Sequence, residues 1–170
     1  SVGGAVVYSS VALQHLGANI LAVTKLHPDD RQALEVFEGH GVPHLYRESP
    51  STTSIRNTYH TTDRDRRTCE ALGMATPFTL DDVPEDVTAE VYYLGGLMKG
   101  EFPEAFVLAM TERGKVAIDA QGFMRVNENG PMVFRDWDNK KEVIAAVHYL
   151  KTDAAEAETL TGEQDRAKAI

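Results

Sequence analysis

From Glu90 to Gly162 the chain changes its hydrophobic period at regular intervals, and this alternation restricts its possible folds more than any other feature. Val91-Tyr-Tyr-Leu94 is a continuous apolar run closed by Gly95-Gly96, and Phe102, Ala105, Phe106 and Ala109 then recur at helical spacing. Lys115 to Ala120 is strand-like again, Lys140 to Val147 helical and His148 to Lys151 a short strand. Asp153 to Leu160 is a helix stopped by Gly162. Strands separated by helices join through right-handed crossovers into a parallel sheet covered on its faces. The expected class is α/β: a mostly parallel, Rossmann-like three-layer sheet with helices on both faces, in one domain over residues 1–170.

The N-terminal part obeys the same logic with one exception. Gly3-Gly4 precede an apolar helix whose first N–H groups no side chain covers, which lets a ligand approach the backbone and hydrogen-bond to it. Gly17 is placed to end that helix in a left-handed cap, and Asn19 to Thr24 follows as a strand. Asp29 and Asp30 sit where a helix macrodipole favours carboxylates, before a helical pattern from Gln32 to His40. From Val42 to Tyr59 the pattern becomes alternating, predicting antiparallel strands joined through Ser49-Pro50-Ser51. With the charged run Thr61 to Arg67 they would make a small antiparallel β lid, an insert at about 42–67. Its apolar side chains, Leu45 and Ile55, would pair two copies into a homodimer.

Composition removes several function classes. The 26 acidic and 17 basic residues give a formal charge of −9, which repels nucleic acid and anionic membrane surfaces, so neither is an expected partner. The lone Cys69 forms no internal disulfide, and this fits a cytoplasmic location. No run of about twenty apolar residues reads as a membrane span. The chain starts directly before a motif and stops in a helical pattern, as a segment of a longer polypeptide would. No Gly-x-Gly-x-x-Gly fingerprint follows a strand, which argues against a dinucleotide-dependent oxidoreductase. His40 and His44 straddle Gly41 and Pro43, so they share no helical face for a metal.

Ligands of open α/β sheets bind beyond the carboxyl ends of strands. The residues there are Lys25, Gly95-Gly96, Asp119-Ala-Gln121 and Lys151-Thr-Asp153. Asp153 and Glu156 have the spacing of a helix capping box, and a carboxylate such as Glu156 is also suited to a water-bound Mg²⁺.

The Gly-Gly pair, the helix closed by Leu16-Gly17, the apolar strand and Asp29-Asp30 resemble the opening signature of the ribokinase-like, phosphofructokinase B-type carbohydrate kinases. The stretch Leu150 to Gly162 resembles their second signature, with Asp153 in the place of an Asn and Glu156 matching the Glu. Thr52 to Tyr59 is similar to their lid strand, and Asp119 to Arg125 to their Asp-x-Asn loop, with Gln121 in the Asn place. Two departures are Tyr8, where the family typically has Asn, and Pro28, where it has Gly.

The resemblance implies ATP-dependent, Mg²⁺-assisted phosphorylation of a hydroxyl on a sugar or nucleoside. Gly3, Gly4, Tyr8, Thr53, Asn57 and Gln121 would contact the substrate, Lys151 and Asp153 the nucleotide, and Glu156 the metal. Tyr8 would stack on a base or a sugar face. The family's Gly-Ala-Gly-Asp run, which carries the catalytic base, is not among these 170 residues, so no catalytic residue is expected in this chain. A binding module that has lost phosphoryl transfer is the alternative.

Overall fold

A computed structural model describes residues 2–60 and 67–169; the charged run expected to start a lid strand lies, up to Arg66, outside them. Helix α1 (Ala5–His15) starts from Gly4 at φ +100°, ψ 167°, a conformation that only glycine adopts readily. It ends as expected: Gly17 has φ +76° and the Ala18 N–H donates to Leu13 O at 3.0 Å. Strand β1 (Ala22–Leu26) follows, then a 3₁₀ segment, Pro28–Leu34, and the short helix α2 (Glu35–Gly39). The single helix expected over Gln32 to His40 is thus split.

The next strand, β2 (His44–Glu48), pairs parallel with β1, Ala22 opposite His44 and Leu26 opposite Glu48. This corrects the antiparallel pairing expected for Val42 to Tyr59. The intervening helical segment is a crossover, which returns the chain in the same direction. The alternation near Leu45 reflects a half-buried sheet strand, so Leu45 is no part of a lid. The antiparallel pair is instead β3 (Ser54–Tyr59) with β4 (Arg67–Gly73).

In the second half β5 (Val91–Leu94), β6 (Lys115–Asp119) and β9 (Tyr149–Lys151) form a parallel sheet in the order β5-β6-β9. Helices α3 (Glu104–Thr111), α4 (Gln121–Met124), α5 (Lys140–Ala146) and α6 (Ala154–Thr161) lie between or after these strands, and α7 (Arg166–Ala169) ends the described chain. Val107, Met110, Val116, Ile118, Met124 and Val143 fill the core of this half with almost no exposure. Trp137 belongs to that core although its segment is irregular. Its ring stacks on Phe123 at 4.4 Å and its indole N–H donates to Glu104 at 2.7 Å, so the polar edge is satisfied. A second cluster, Val7, Ala22, Leu26, Leu34, Phe37 and Val42, ties α1 to the β1-β2 sheet. Strand β5 differs from the buried strand expected: Val91 and Tyr93 remain 41% and 36% exposed, and both line a large cavity.

One hairpin lies outside the sequence-based expectations. Strands β7 (Arg125–Asn127) and β8 (Met132–Phe134) pair antiparallel, and their turn meets β4 where the Ala71 N–H donates to Gly130 O at 2.8 Å. Its sequence signal is Asn129-Gly130, a dipeptide suited to positive φ; the angles are +57° and +121°. No described helix is long and apolar enough to cross a membrane.

Candidate active site

The ends of β1, β5, β6 and β9, the start of α1 and the β3-β4 hairpin surround one cavity of about 1550 Å³. Gly3, Gly4, Tyr8, Thr53, Asn57, Gln121 and Lys151, all singled out from the sequence, line it. Asp153 and Glu156 are not among its lining residues.

Helix α1 delivers backbone to this space. Its N-cap is Gly4, no side chain caps it, and its first intrahelical bond runs from the Tyr8 N–H to Gly4 O at 3.1 Å. Ala5, Val6 and Val7 therefore bring their N–H groups to the cavity at the positive end of the helix dipole. The approach depends on small residues, since a Cβ on Gly95 would lie 2.8 Å from that of Ala5. Tyr8 is 70% exposed and folds back so that its hydroxyl would stand 2.9 Å from a Cβ on Gly3. It is a free aromatic surface over the glycine pair, with no packing role in the core.

Thr53 has a structural task as well: its hydroxyl accepts from the Ala75 N–H at 3.0 Å and fixes the foot of the hairpin. Neighbouring Thr52 accepts from the His27 N–H at 2.8 Å. Asn57 is exposed on β3, opposite Cys69.

Across β6 the side chains form a connected set. Asp119, 3% exposed, accepts from Lys151 Nζ at 2.9 Å, from the Tyr93 hydroxyl at 3.4 Å and from the Gln121 N–H at 3.3 Å. Burial, and then the charge of Asp119, push Tyr93 up to about 12, so this phenol stays protonated and donating. The hydrogen bond to Asp119 raises Lys151 against its desolvation, which keeps it cationic. Gln121 is held at both ends of its amide, donating to Gly96 O at 3.3 Å and accepting from Arg125 at 2.8 Å. That geometry needs two backbones in contact: a Cβ on Gly122 would lie 3.0 Å from the Gly96 Cα.

Glu156 is 2% exposed. It and Asp153 close the expected capping box, the Asp153 N–H donating to Glu156 at 2.8 Å and the Glu156 N–H to Asp153 at 2.8 Å. Burial first, and then the charges of Asp153 and Asp119, raise the Glu156 carboxyl above its ordinary range. A buried acid among acidic neighbours suits a cation, although among the described residues no three His, Cys, Asp or Glu side chains are grouped to hold one.

Lys25, read from the sequence as a strand-end polar residue, is an ion pair instead. Its side chain is 6% exposed and its Nζ lies 2.6 Å from Asp82 and 2.9 Å from Pro77 O. It binds the end of β1 to the connection before β5. The site residues that sequence reasoning undervalued are Tyr93, hidden in an apolar run, and Arg125, at the end of the Asp119 loop.

Bare helix amides and amide and charged side chains thus line one cavity of an α/β fold. Over residues 1–170 the chain matches the model of the pfkB family carbohydrate kinases, and it belongs to that family. Among solved structures it is similar to a pyrophosphate-dependent kinase in the ribokinase family seen with sulfate. The TM-score is 0.90 and the identity 34%, covering 99% of this chain and 59% of the other. A pyrophosphate-dependent kinase of that family with a pyrophosphate analog and myo-inositol gives 0.88 and 32%, covering 99% and 58%. An Anopheles gambiae adenosine kinase, at 0.70 and 18% over 98% and 54% of the two chains, shares the fold. The chain thus spans less than two thirds of the length of these structures. No curated protein matches it.

Proposed function

We propose that the full-length protein transfers a phosphoryl group to a hydroxyl of a cyclic polyol such as an inositol, and that these residues build the acceptor side of its site. The observation that carries this reading is the cavity that α1's uncapped amides, Tyr8, Asn57, Gln121 and Lys151 line together. Hydroxyls both donate and accept; backbone N–H groups at Gly4 to Val7 supply donors, and the Asn57 amide supplies both kinds. Tyr8 offers a ring face to a carbocycle or sugar, and Gln121, locked between Gly96 and Arg125, orients the ligand. Thr53 contributes chiefly by holding the hairpin over the site.

Family resemblance alone implies ATP as the donor. The ribokinase-family structures at 34% and 32% identity are of pyrophosphate-dependent kinases, and this favours pyrophosphate. Lys151 and Asp153 would face the donor, and Glu156 would hold Mg²⁺. When bound, such an ion neutralises charge on the phosphoryl oxygens. The base that accepts the hydroxyl proton is assigned to the family's Gly-Ala-Gly-Asp run. Tyr59 and Leu72, 52% and 54% exposed on the hairpin, would pair in a lid-to-lid homodimer, and the free Cys69 fits the cytoplasm.

The test is phosphorus NMR of the full-length protein with myo-inositol, ribose and adenosine, each with pyrophosphate and with ATP. A new phosphate monoester on myo-inositol is expected. No monoester on any acceptor with either donor would overturn the proposal.

A further inference from the structure

Arg125 carries a charge that no described carboxylate pairs with, whereas Lys151 is answered by Asp119 and Lys25 by Asp82. Its Nη2 donates to the neutral oxygen of Gln121 at 2.8 Å, and its guanidinium lies 5.4 Å from the Phe134 ring centroid. Arg67, from β4, lines the same cavity. Burial is the main cause that lowers Arg125 from the usual guanidinium range; Arg67 adds to it, and Cys69, Glu156 and Asp119 oppose it. Glu156 and Asp119 lie near enough to act on Arg125, but Glu156 is engaged at the cap of α6 and Asp119 accepts from Lys151, Tyr93 and the Gln121 N–H. Desolvating a guanidinium that no carboxylate pairs with is unfavourable, and an oxyanion that accepts from the fork removes that cost.

The chain as a whole, at −9, repels anions, so an anion is held only where cations are gathered. We propose that Arg125, steadied by Gln121 and Phe134, is a phosphoryl subsite on the cavity wall. Guanidinium presents two parallel donors to two oxygens of one phosphate, which a lysine cannot. The phosphate is either that of the donor or one carried by a phosphorylated polyol. The inference rests on the kinase reading, and it fills the position that reading left without a role.

The test is titration calorimetry of the full-length protein with inorganic pyrophosphate and, separately, with myo-inositol 1-phosphate, on wild type, Arg125→Gln and Arg125→Lys. Arg125→Gln is expected to weaken at least one of these anions roughly tenfold or more, with a smaller change for neutral myo-inositol, and Arg125→Lys to recover only part. The anion that weakens identifies the source. Wild-type protein is also labelled with phenylglyoxal; shielding of Arg125 by either anion supports the subsite even if the variants fail to fold. Anion affinities equal in wild type and Arg125→Gln, labelling of Arg125 unaffected by both anions, or no binding of either by wild type would each overturn it. Binding through Arg125 without any polyol phosphorylation would instead count against the kinase reading alone.

Discussion

Replacing Gly4 by alanine tests how α1 is made to face the cavity. At φ +100°, ψ 167° Gly4 occupies a region that L-residues avoid. The nearest atoms to a Cβ there would be those of Leu97, at 3.7 Å or more, which is ordinary contact. The cost is therefore all backbone, on the order of 1 to 3 kcal/mol. For a chain of this size that lowers Tm by roughly 2 to 12 °C. Relaxing φ would also rotate the first-turn amides, so polyol affinity should fall along with stability. D-alanine, introduced by semisynthesis, adopts positive φ without strain and should restore both. Thermal unfolding and polyol titration of the three proteins decide it. A Gly4→Ala protein as stable and as tight-binding as wild type, or a D-alanine protein no better than the L-form, would refute the argument.

Three further outcomes follow from the same geometry. Asp82→Asn leaves Lys25 buried beside a neutral partner and should cost about 3 to 5 kcal/mol by denaturant titration. Burial opposes ionisation of Asp82, but Lys25 and the Thr79 N–H outweigh it and lower its pKa; the pair's stabilisation is therefore present above pH 3.8 and lost as pH falls through the lower folded value. Glu156→Gln keeps an acceptor for the Asp153 N–H and removes a carboxylate whose pKa folding raises, so Tm at pH 7 should hold or rise while phosphoryl transfer drops; a lower Tm with full activity would contradict this. The wild-type carboxyl costs stability as pH rises from 4.5 through its higher folded value, and the variant should lack that slope. Gly122→Ala would press a methyl to 3.0 Å from the Gly96 Cα and should destabilise by about 1 to 3 kcal/mol, displacing Gln121, as unfolding and polyol titration would show.

The parts of the fold visible in the sequence are those set by local periodicity and stops. Gly17 and Gly162 end α1 and α6 in left-handed caps, and the β5-β6-β9 strands lie where apolar runs alternate with helices. Pairing direction is not legible for β2, because a half-buried edge strand in a parallel sheet shows the same alternation as a hairpin strand. The β7-β8 hairpin escapes a periodicity reading although Asn129-Gly130 marks it, since three-residue strands leave almost no periodic signal. For the candidate site, Gly3-Gly4, Gln121 and Lys151 are picked out by their places at a helix start and at strand ends and Asn57 through the family resemblance, and the structure adds that they line one cavity. The ion pairs are not readable: Lys25 meets Asp82 across 57 residues and Lys151 meets Asp119 across 32, and nothing local records such partners.

In the proposed function the amides opening α1 receive the hydroxyls of the acceptor, and every other role in the site depends on this. Amide chemical shifts of isotopically labelled full-length protein, followed as myo-inositol is added, test it most directly. Saturable shifts at Ala5, Val6 and Val7, with Asn57 and Gln121 moving at the same concentration, are expected. Shifts confined to residues outside the cavity, with those amides unmoved, would contradict it.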